Sequence, residues 1–456
     1  MSYRSATLAA AVGFVALASG DALATGSRVN SMGATLGYVD GYLVFEDEVN
    51  VFDLPATLTK FGNRVFIDEL SGAGAGFPNS RFGIHYSISD YTVIAAYGSN
   101  VDGGIGLSLP WNRVGVGPGL LGSRASVTAG TVNTTNFGAN TAAAASGAAG
   151  SSDLTANHKA SILFAHDVDG FRFGAGLGFY GDSLQVESPN ANLRDLSVFV
   201  MNVDLGIGFD FMGENSVDFG IGIDFGLFDD LAGPQEIEQF APDTIFGFTL
   251  RGRGIINFFQ GTQLIPYGSF ELAFEGLRNA LPGQTATGNY RNIAFEVGIA
   301  LKVEPWERVA IYPLLGMRYD DWVVEDNTNV RSDDRRWTLP YYGFGVDARI
   351  WDWFAFRMGA RQYLLFDKVG SKAAGNESDT RDSKVVTTFD TGFSLFFGKN
   401  DEWVIDAHLS PDFFLLGPNL ISGANTPRPA TDEFNNPTGT AGVGGMNFDV
   451  ALKYAW

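Results

Sequence analysis

Cysteine is absent from the 456 residues, and charged residues make up only 18% of them. The lack of cysteine excludes a disulfide framework. After the first 24 residues, the sequence also lacks any apolar run of about 18 residues, the length that a membrane-spanning helix needs. A bilayer location would therefore require a closed β-barrel, because helices and closed barrels are the two structures that satisfy every backbone polar group in lipid.

Basic residues are scarce relative to acidic ones: 30 Lys and Arg stand against 51 Asp and Glu, for a net charge of −21. This balance argues against nucleic acid as a partner, since phosphate binding needs clustered Lys and Arg. No glycine-rich loop opens a helix to hold phosphate, and no metal-ligand spacing stands out. We predict neither a metal site nor a cofactor.

Histidine occurs four times, at His85, His158, His166 and His408. The best local cluster places His408 on one strand face with Asp406, Ser410 and Asp412, so that Asp406 could reach His408. A polar row facing a barrel interior produces such neighbours routinely, and a catalytic arrangement is defined by spatial geometry that the sequence does not show. We therefore predict no catalytic residues and no enzymatic activity.

The N-terminus has the order of a secretory signal peptide. Arg4 gives a basic start, Ala6 to Ala18 form an apolar core of 13 residues, and Ala22-Leu23-Ala24 fits the small-residue cleavage rule. We predict a signal peptide over 1–24 and a mature chain that begins near Thr25. The alternative, an N-terminal membrane anchor, is disfavoured because the apolar core is too short.

Glycine, with 58 residues, and phenylalanine, with 38, are abundant, and the sequence alternates with a period of two from about Gly62. In Asn292 to Val303, every second residue from Ile293 is large and apolar, whereas the residues between them are polar or small. The segments 201–211 and 217–225 repeat this split. One face of each segment suits hydrocarbon and the other suits water, as in the strands of a membrane barrel.

More than ten segments alternate in this way, and their connections alternate between short and long. Short connections are predicted at 167–170, 212–215, 260–262, 304–308, 351–353 and 399–402. Long ones are predicted at about 181–193, 229–242, 277–289, 325–335, 367–381 and 418–443. Short periplasmic turns and long outer loops are typical of bacterial outer-membrane barrels. The sequence thus predicts an all-β, antiparallel transmembrane barrel over 62–456.

We predict about 16 strands, with 14 as the alternative, because an even number places both termini on the periplasmic side. The first strands lie near 64–70, 81–87 and 91–97. The last strand, MNFDVALKYAW, resembles the C-terminal signal by which outer-membrane barrels are assembled, although Trp456 stands where Phe is usual. This predicts the barrel-assembly machinery as a partner.

Two features bear on the interior of the barrel. Residues 100–157 are rich in Gly, Ala, Ser and Thr, including NTAAAASGAAGSS from Asn140, and so poor in large side chains that we predict a mobile outer loop. A gating flap is the alternative. Glycines such as Gly206 and Gly220 lie on predicted inward faces, where their smallness lets strands curve and leaves room for an interior object.

Charged residues also fall on predicted inward faces. They are Arg251, Arg253, Arg318, Arg349, Arg357, Arg361, Glu271, Glu275, Glu296, Asp320 and Asp347. Across a tight turn, Asp347 should lie close to Arg357. These residues either form interior salt bridges or include arginines that hold an anionic group, such as a carboxylate, by bidentate hydrogen bonds. The ligand-binding candidates are Arg251, Arg253, Arg357 and Arg361.

The stretch Ser27 to Glu69 contains Ser31-Met32-Gly33, Asp47-Glu48, Asn50-Val51 and Pro55-Ala56 ahead of the first strand. In this order it resembles the N-terminal region of the FadL family of outer-membrane long-chain fatty acid transporters. The likeness continues through RFGIHYSISDYTVIAAYGSN and HKASILFAHDVDGFRFGAGLGFYGD. Two departures are evident: Leu54 stands where the family has Asn before Pro, and 16 strands exceed the family's 14 by one hairpin.

The resemblance implies a hatch folded inside the barrel, formed by 25–61 and including Asn50, Phe52, Leu54, Pro55 and Ala56. It also implies a hydrophobic ligand that enters from outside and leaves sideways into the membrane at a bend in the third strand, for which Gly98 is the candidate. Uptake of hydrophobic compounds such as long-chain fatty acids, with outer-membrane lipid as surroundings, is the leading prediction. The alternatives are a water-filled porin for small polar solutes and a structural or secretion-associated barrel.

Overall fold

The computed structural model describes residues 26–29, 31–32, 41–68, 81–99, 127–128, 131–132, 158–186, 194–212, 215–232, 237–279, 287–326, 331–373, 376–399, 401–409 and 448–456. A short α-helix covers Gly26–Val29, and short 3₁₀ helices cover Gly41–Val44, Glu48–Phe52 and Pro55–Lys60. Among the described residues, no helix is long and apolar enough to cross a membrane. The signal peptide and its alternative fall outside the described residues.

The rest of the described chain is almost entirely β-strand. The strands are β1 (Arg64–Asp68), β2 (Arg81–Ser89), β3 (Thr92–Ser99), β4 (Val127–Thr128), β5 (Thr131–Val132), β6 (His158–Val168), β7 (Phe171–Val186), β8 (Arg194–Phe211), β9 (Asn215–Ala232), β10 (Ile237–Phe259), β11 (Thr262–Asn279), β12 (Thr287–Trp306), β13 (Val309–Asp326), β14 (Arg331–Trp351), β15 (Phe354–Ala373), β16 (Asn376–Phe397), β17 (Trp403–Leu409) and β18 (Phe448–Ala455). All but β4 and β5 form one closed antiparallel barrel of 16 strands, in which β18 pairs with β1. The predicted count of 16 is confirmed.

The alternation in the sequence follows from the two environments of the barrel wall. In β12, Asn292 and Glu296 are buried on the inner face, whereas Val297 and Ile299 are 48% and 43% exposed on the outer face. In β2, Phe82, Ile84, Tyr86 and Ile88 are likewise exposed. A closed barrel that presents large apolar side chains outward and buries charged ones inward belongs in a bilayer. The protein is a bacterial outer-membrane barrel.

The predicted short turns are confirmed, since β6 and β7, β10 and β11, β12 and β13, and β14 and β15 are each joined by two residues. The predicted long loops are too long. The connections after β9, β13 and β15 cover only 233–236, 327–330 and 374–375, and those after β7 and β11 cover 187–193 and 280–286. Outside the membrane both faces of a strand meet water, so the apolar alternation ends while backbone pairing continues.

Strand lengths agree with this correction. β10 has 23 residues and β16 has 22, roughly twice the 9–11 residues that a tilted strand needs to cross a bilayer. The barrel therefore continues beyond the membrane on the side of the longer connections. Of the predicted loop 100–157, only the β4–β5 hairpin is described, and the loop at 418–443 lies outside the described residues.

Candidate lumen site

Residues 41–61, here called the N-terminal segment, lie against the inner wall of the barrel. Residues 50–58 are all buried, including the predicted hatch residues Asn50, Leu54 and Ala56 at 0% exposure and Phe52 at 8%. The Asn50 side chain donates to Phe45 O, and its backbone carbonyl accepts from the Leu54 amide at 2.7 Å. Strands leave space for such a segment only where their inward side chains are small. The wall beside the segment must therefore carry small inward residues.

Three inward glycines provide that space. Gly174, Gly206 and Gly220 are direct cross-strand partners on β7, β8 and β9, and we call them the glycine groove. A Cβ on Gly206 would lie 2.8 Å from Ala56 N, one on Gly174 would lie 2.5 Å from the same atom, and one on Gly220 would lie 2.8 Å from Asp53 C. The groove therefore accepts the backbone of residues 53–56, including Pro55, at a distance that no other residue permits.

Two of the predicted arginines bind the N-terminal segment from β10. Arg251 pairs with Asp53 at 3.2 Å and with Glu271 of β11 at 3.2 Å. Arg253 donates to the carbonyl oxygens of Leu43 and Phe45, each at 3.1 Å, and pairs with Asp218 at 3.3 Å. Both are at most 3% exposed, so interior pairing accounts for them, and binding of an anionic ligand stays a prediction.

Glu48 connects the N-terminal segment to the seam where the barrel closes. Its carboxylate accepts from Arg64 of β1 and lies 3.3 Å from Lys453 Nζ of β18, and all three residues are at most 5% exposed. Burial acts to raise the pKa of Glu48, but the charges of Lys453 and Arg64 outweigh it and hold the pKa below its ordinary value. Glu48 is therefore ionised while it bridges the first and last strands.

His85 and Tyr97 connect the N-terminal segment to β2 and β3. His85 Nδ1 lies 2.6 Å from Phe61 O and must donate its proton, because a carbonyl only accepts. Nε2 therefore accepts from the Tyr97 hydroxyl, also at 2.6 Å. The Tyr97 ring lies 4.5 Å from that of Phe52. The N-terminal segment thus contacts Tyr97, the residue that directly precedes Gly98.

Gly98 itself lies in a regular part of the sheet. Its pairing with Phe82 of β2 and Ala160 of β6 shows no register shift. A Cβ at Gly98 would meet the ring of Phe82, so the glycine allows that ring to cover β3 from the outer face. Packing against the Phe82 ring therefore accounts for glycine at this position. The lateral exit at Gly98 stays a prediction.

A buried apolar cluster lies where the N-terminal segment, together with Val29 and Met32, meets β11 to β15. Its members are Val29, Met32, Leu43, Val44, Phe45, Leu54, Ile265, Tyr267, Ala300, Tyr312, Leu314, Tyr341, Tyr363 and Leu365. The rings of Phe45 and Tyr312 lie 4.9 Å apart in an edge-on arrangement. Leu54, the departure from the family motif, is part of this cluster. The N-terminal segment is thus held to the barrel wall by a hydrophobic core as well as by ion pairs.

The remaining predicted inward charges also pair with one another. Arg357 lies 3.1 Å from Asp347, as predicted, and 3.1 Å from Asp406. Arg318 bridges Glu271, Glu296 and Asp320, and Arg361 is buried beside Tyr363. Arg349 instead lies at the edge of the barrel with Asp401, at 33% side-chain exposure. The side chain of Glu275 is outside the described part of the structure.

His408, the centre of the local cluster that we considered for catalysis, lies 3.1 Å from Asp390 of β16. Asp406 accepts from Ser394 and from Arg357. Ser410 and Asp412 fall outside the described residues. The described ranges contain no group of three or more His, Cys, Asp or Glu side chains that could hold a metal ion.

No protein-family model matches the chain, and no curated protein matches it in sequence. Solved structures that are similar include a FadL homologue of Pseudomonas aeruginosa, at 11% identity and a TM-score of 0.41 over 94% of this chain and 98% of that one. The toluene transporter TodX of Pseudomonas putida is 9% identical, with a TM-score of 0.36 over 96% of this chain and 99% of that one. CdiB from Escherichia coli is 7% identical, with a TM-score of 0.40 over 86% of this chain and 62% of that one. Similarities this distant do not decide between the functions of barrels.

Proposed function

We propose that this barrel is an outer-membrane channel for the uptake of hydrophobic compounds such as long-chain fatty acids, with no catalytic role. The observation that carries the proposal is the apolar cluster inside the barrel, formed by the N-terminal segment together with β11 to β15. These side chains are buried against one another in this conformation. They would meet an apolar ligand once the N-terminal segment moves, whereas an aqueous channel for polar solutes would gain nothing from them.

The N-terminal segment would act as the hatch of this channel. Supporting this, it contacts the wall on several sides: at the glycine groove, at Arg251 and Arg253 of β10, and at Arg64 and Lys453 beside the seam. A segment held at so many points obstructs a straight water-filled path. The Tyr97 contact with Phe52 and His85 gives movement of the hatch a route to Gly98 and the proposed lateral exit.

Planar-bilayer conductance tests this proposal. We expect low conductance from the full mature chain and a marked rise after deletion of residues 25–59, because the deletion removes most of the segment that obstructs the lumen. Large, steady, salt-dependent conductance of the intact chain would instead indicate the water-filled porin.

Ligand binding is measured separately, with palmitate as the probe and a neutral sugar of similar mass as the control. We expect saturable palmitate binding to the detergent-solubilised barrel and no sugar binding. Equal weak binding of both probes would remove the support for a hydrophobic substrate, even if the hatch were real.

A further inference from the structure

Three cations form one level of the outer wall, just beyond its apolar belt. Arg335 of β14 is the direct cross-strand partner of Lys368 of β15, and Lys368 is the direct partner of Arg381 of β16. We call these three residues the cationic rung. The side chains of Arg335 and Lys368 are 40% and 33% exposed, and Arg381 is also exposed.

The rung lies directly above aromatic side chains that face lipid. Trp337 of β14 and Phe366 of β15 occupy the next outward-facing positions toward the membrane. They are direct cross-strand partners and are 39% and 49% exposed. The Trp337 ring lies 4.5 Å from that of Tyr319 on β13. Aromatic girdles mark the interface between hydrocarbon and head groups, so the rung lies at the level of the head groups on the side of the longer connections.

Like charges directly opposite each other on a sheet are destabilising, and the neighbouring carboxylates compensate for them only in part. Asp321 pairs with Arg335 at 3.2 Å and Asp379 with Lys368 at 2.8 Å, while Asp333 lies 3.6 Å from Arg335. Arg381 has no carboxylate within ion-pair distance among the described residues, although its charge acts on Asp379 and helps to lower the pKa of that carboxyl. Asp333 and Asp379 lie on the next level away from the membrane, whereas the membrane side of the rung carries the aromatic residues and Ser383.

We propose that the cationic rung binds the phosphate groups of a phosphorylated lipid in the outer leaflet, whose acyl chains lie along the apolar wall below. Arg335 and Arg381 can each offer N–H pairs to phosphate oxygens, and Lys368 between them adds a third donor group. The acyl chains would pack on Phe366, Leu339 and Val385, which are exposed at 49%, 44% and 57%. This adjoining apolar surface favours a lipid over a soluble phosphate.

Lipid binding to the purified full-length barrel tests the proposal. The probes are bis-phosphorylated lipid A, the same lipid without phosphates, and inorganic phosphate, with native mass spectrometry as the measurement. The test variant is R335Q/K368Q/R381Q. The control is K302Q/R308Q/R349Q, which removes three partly exposed, ion-paired cations at the opposite edge of the barrel. Heat-dependent mobility on gels verifies that each variant is folded.

We expect the rung variant to lose roughly 10- to 100-fold in affinity for the phosphorylated lipid, and the control to stay close to the wild type. Arg381→Gln alone, which breaks no ion pair among the described residues and so preserves folding, should lose about fivefold. The proposal is overturned if both triple variants lose equally, if the lipid without phosphates binds as well as the phosphorylated one, or if inorganic phosphate competes for the site at equal concentration.

Discussion

At the residue scale, two glycines on β7 differ in what a side chain at their position would contact. Gly174 belongs to the glycine groove, where a Cβ would lie 2.5 Å from Ala56 N. Gly176 is the next inward position on β7, and a Cβ there would lie 3.3 Å from Leu163 Cγ, a side-chain atom that can shift, and not from the backbone of the N-terminal segment. We expect Gly174→Ala to displace the N-terminal segment and Gly176→Ala to leave it in place.

Tryptic cleavage after Lys60 in the folded, solubilised barrel measures this difference. Lys60 is 28% exposed and paired with Glu46 at 2.7 Å, so cleavage should be slow in the wild type and in Gly176→Ala. It should be several-fold faster in Gly174→Ala, because local opening governs proteolysis. Equal cleavage of the two variants would contradict a tight fit between the groove and the segment.

The same ion pair makes the segment sensitive to acid. Burial acts to raise the pKa of Glu46, but the charges of Lys60 and Arg253 outweigh it and lower the pKa from 4.5 to about 2. A depressed carboxyl pKa contributes stability that is present above pH 4.5 and is lost as the pH falls to about 2. We expect protection of residues 41–61 against hydrogen exchange to decrease across this range.

Glu46→Gln provides the comparison. Because glutamine does not titrate, this variant should show lower protection than the wild type at pH 6, and the difference between the two should shrink steadily as the pH falls toward 2. Hydrogen exchange corrected for the intrinsic pH dependence measures both proteins. A difference that persists unchanged down to pH 2 would exclude Glu46 as the titrating group.

Leu54 shows how far single residues can be interpreted from sequence. The motif resemblance calls for Asn at this position, and the structure places Leu54 at 0% exposure in the apolar cluster. Its amide and carbonyl bond to Asn50 O and to Thr57, so no polar side chain is needed there. The sequence alone indicated inward glycines but not which of them align, because cross-strand register depends on pairing along the whole wall.

At the scale of elements, Glu48 joins the two strands that close the barrel. Its removal would leave Arg64 and Lys453 buried on β1 and β18 without the carboxylate that contacts both of them. Breaking a buried ion pair by removing one partner costs about 3–5 kcal/mol. We expect Glu48→Gln to lower the temperature at which the barrel converts to its unfolded form on SDS gels.

Asp53→Asn is the matched control for this prediction. Asp53 is also buried on the N-terminal segment, but its partner Arg251 lies on β10, away from the seam, and keeps Glu271 as a second partner. It should shift the unfolding temperature less. The double variant E48Q/K453M, which also removes the buried amine on β18, should recover part of the loss. A larger effect of Asp53→Asn would show that the seam is not the weak point.

The elements themselves follow from sequence wherever the wall meets lipid on one side and polar groups on the other. Alternation gave the positions of β12 and the tight turns, and the even strand count followed from them. It did not reveal the outer ends of β14 to β16. The polar composition of 325–335 and 367–381 suggested loops there, but Arg335 and Lys368 are cross-strand partners in the sheet. Period-two patterning marks a difference between two faces, and that difference vanishes when both faces meet water.

At the scale of the whole molecule, two tryptophans on β14 define how deep the barrel sits. Trp337 and Trp351 both point outward, at 39% and 53% exposure. Because β14 has two register irregularities between them, their partners on β15, Phe366 and Phe354, are only 12 residues apart, or roughly 40 Å along the strand at about 3.3 Å per residue. With the usual tilt of about 40° this spans roughly 30 Å, close to the thickness of the hydrocarbon core. We expect each tryptophan to lie at one interface.

Fluorescence quenching by brominated lipids measures these depths in single-tryptophan variants reconstituted in vesicles. Trp337 and Trp351 should be quenched most by lipids brominated near the head group. Phe344→Trp, midway between them and 38% exposed at present, should be quenched most by lipids brominated near the chain ends. If Trp337 were quenched by the deep label instead, the Arg335 level would lie within hydrocarbon, where charged side chains on the lipid face are costly. The membrane position and the proposed lipid site would then have to be abandoned together.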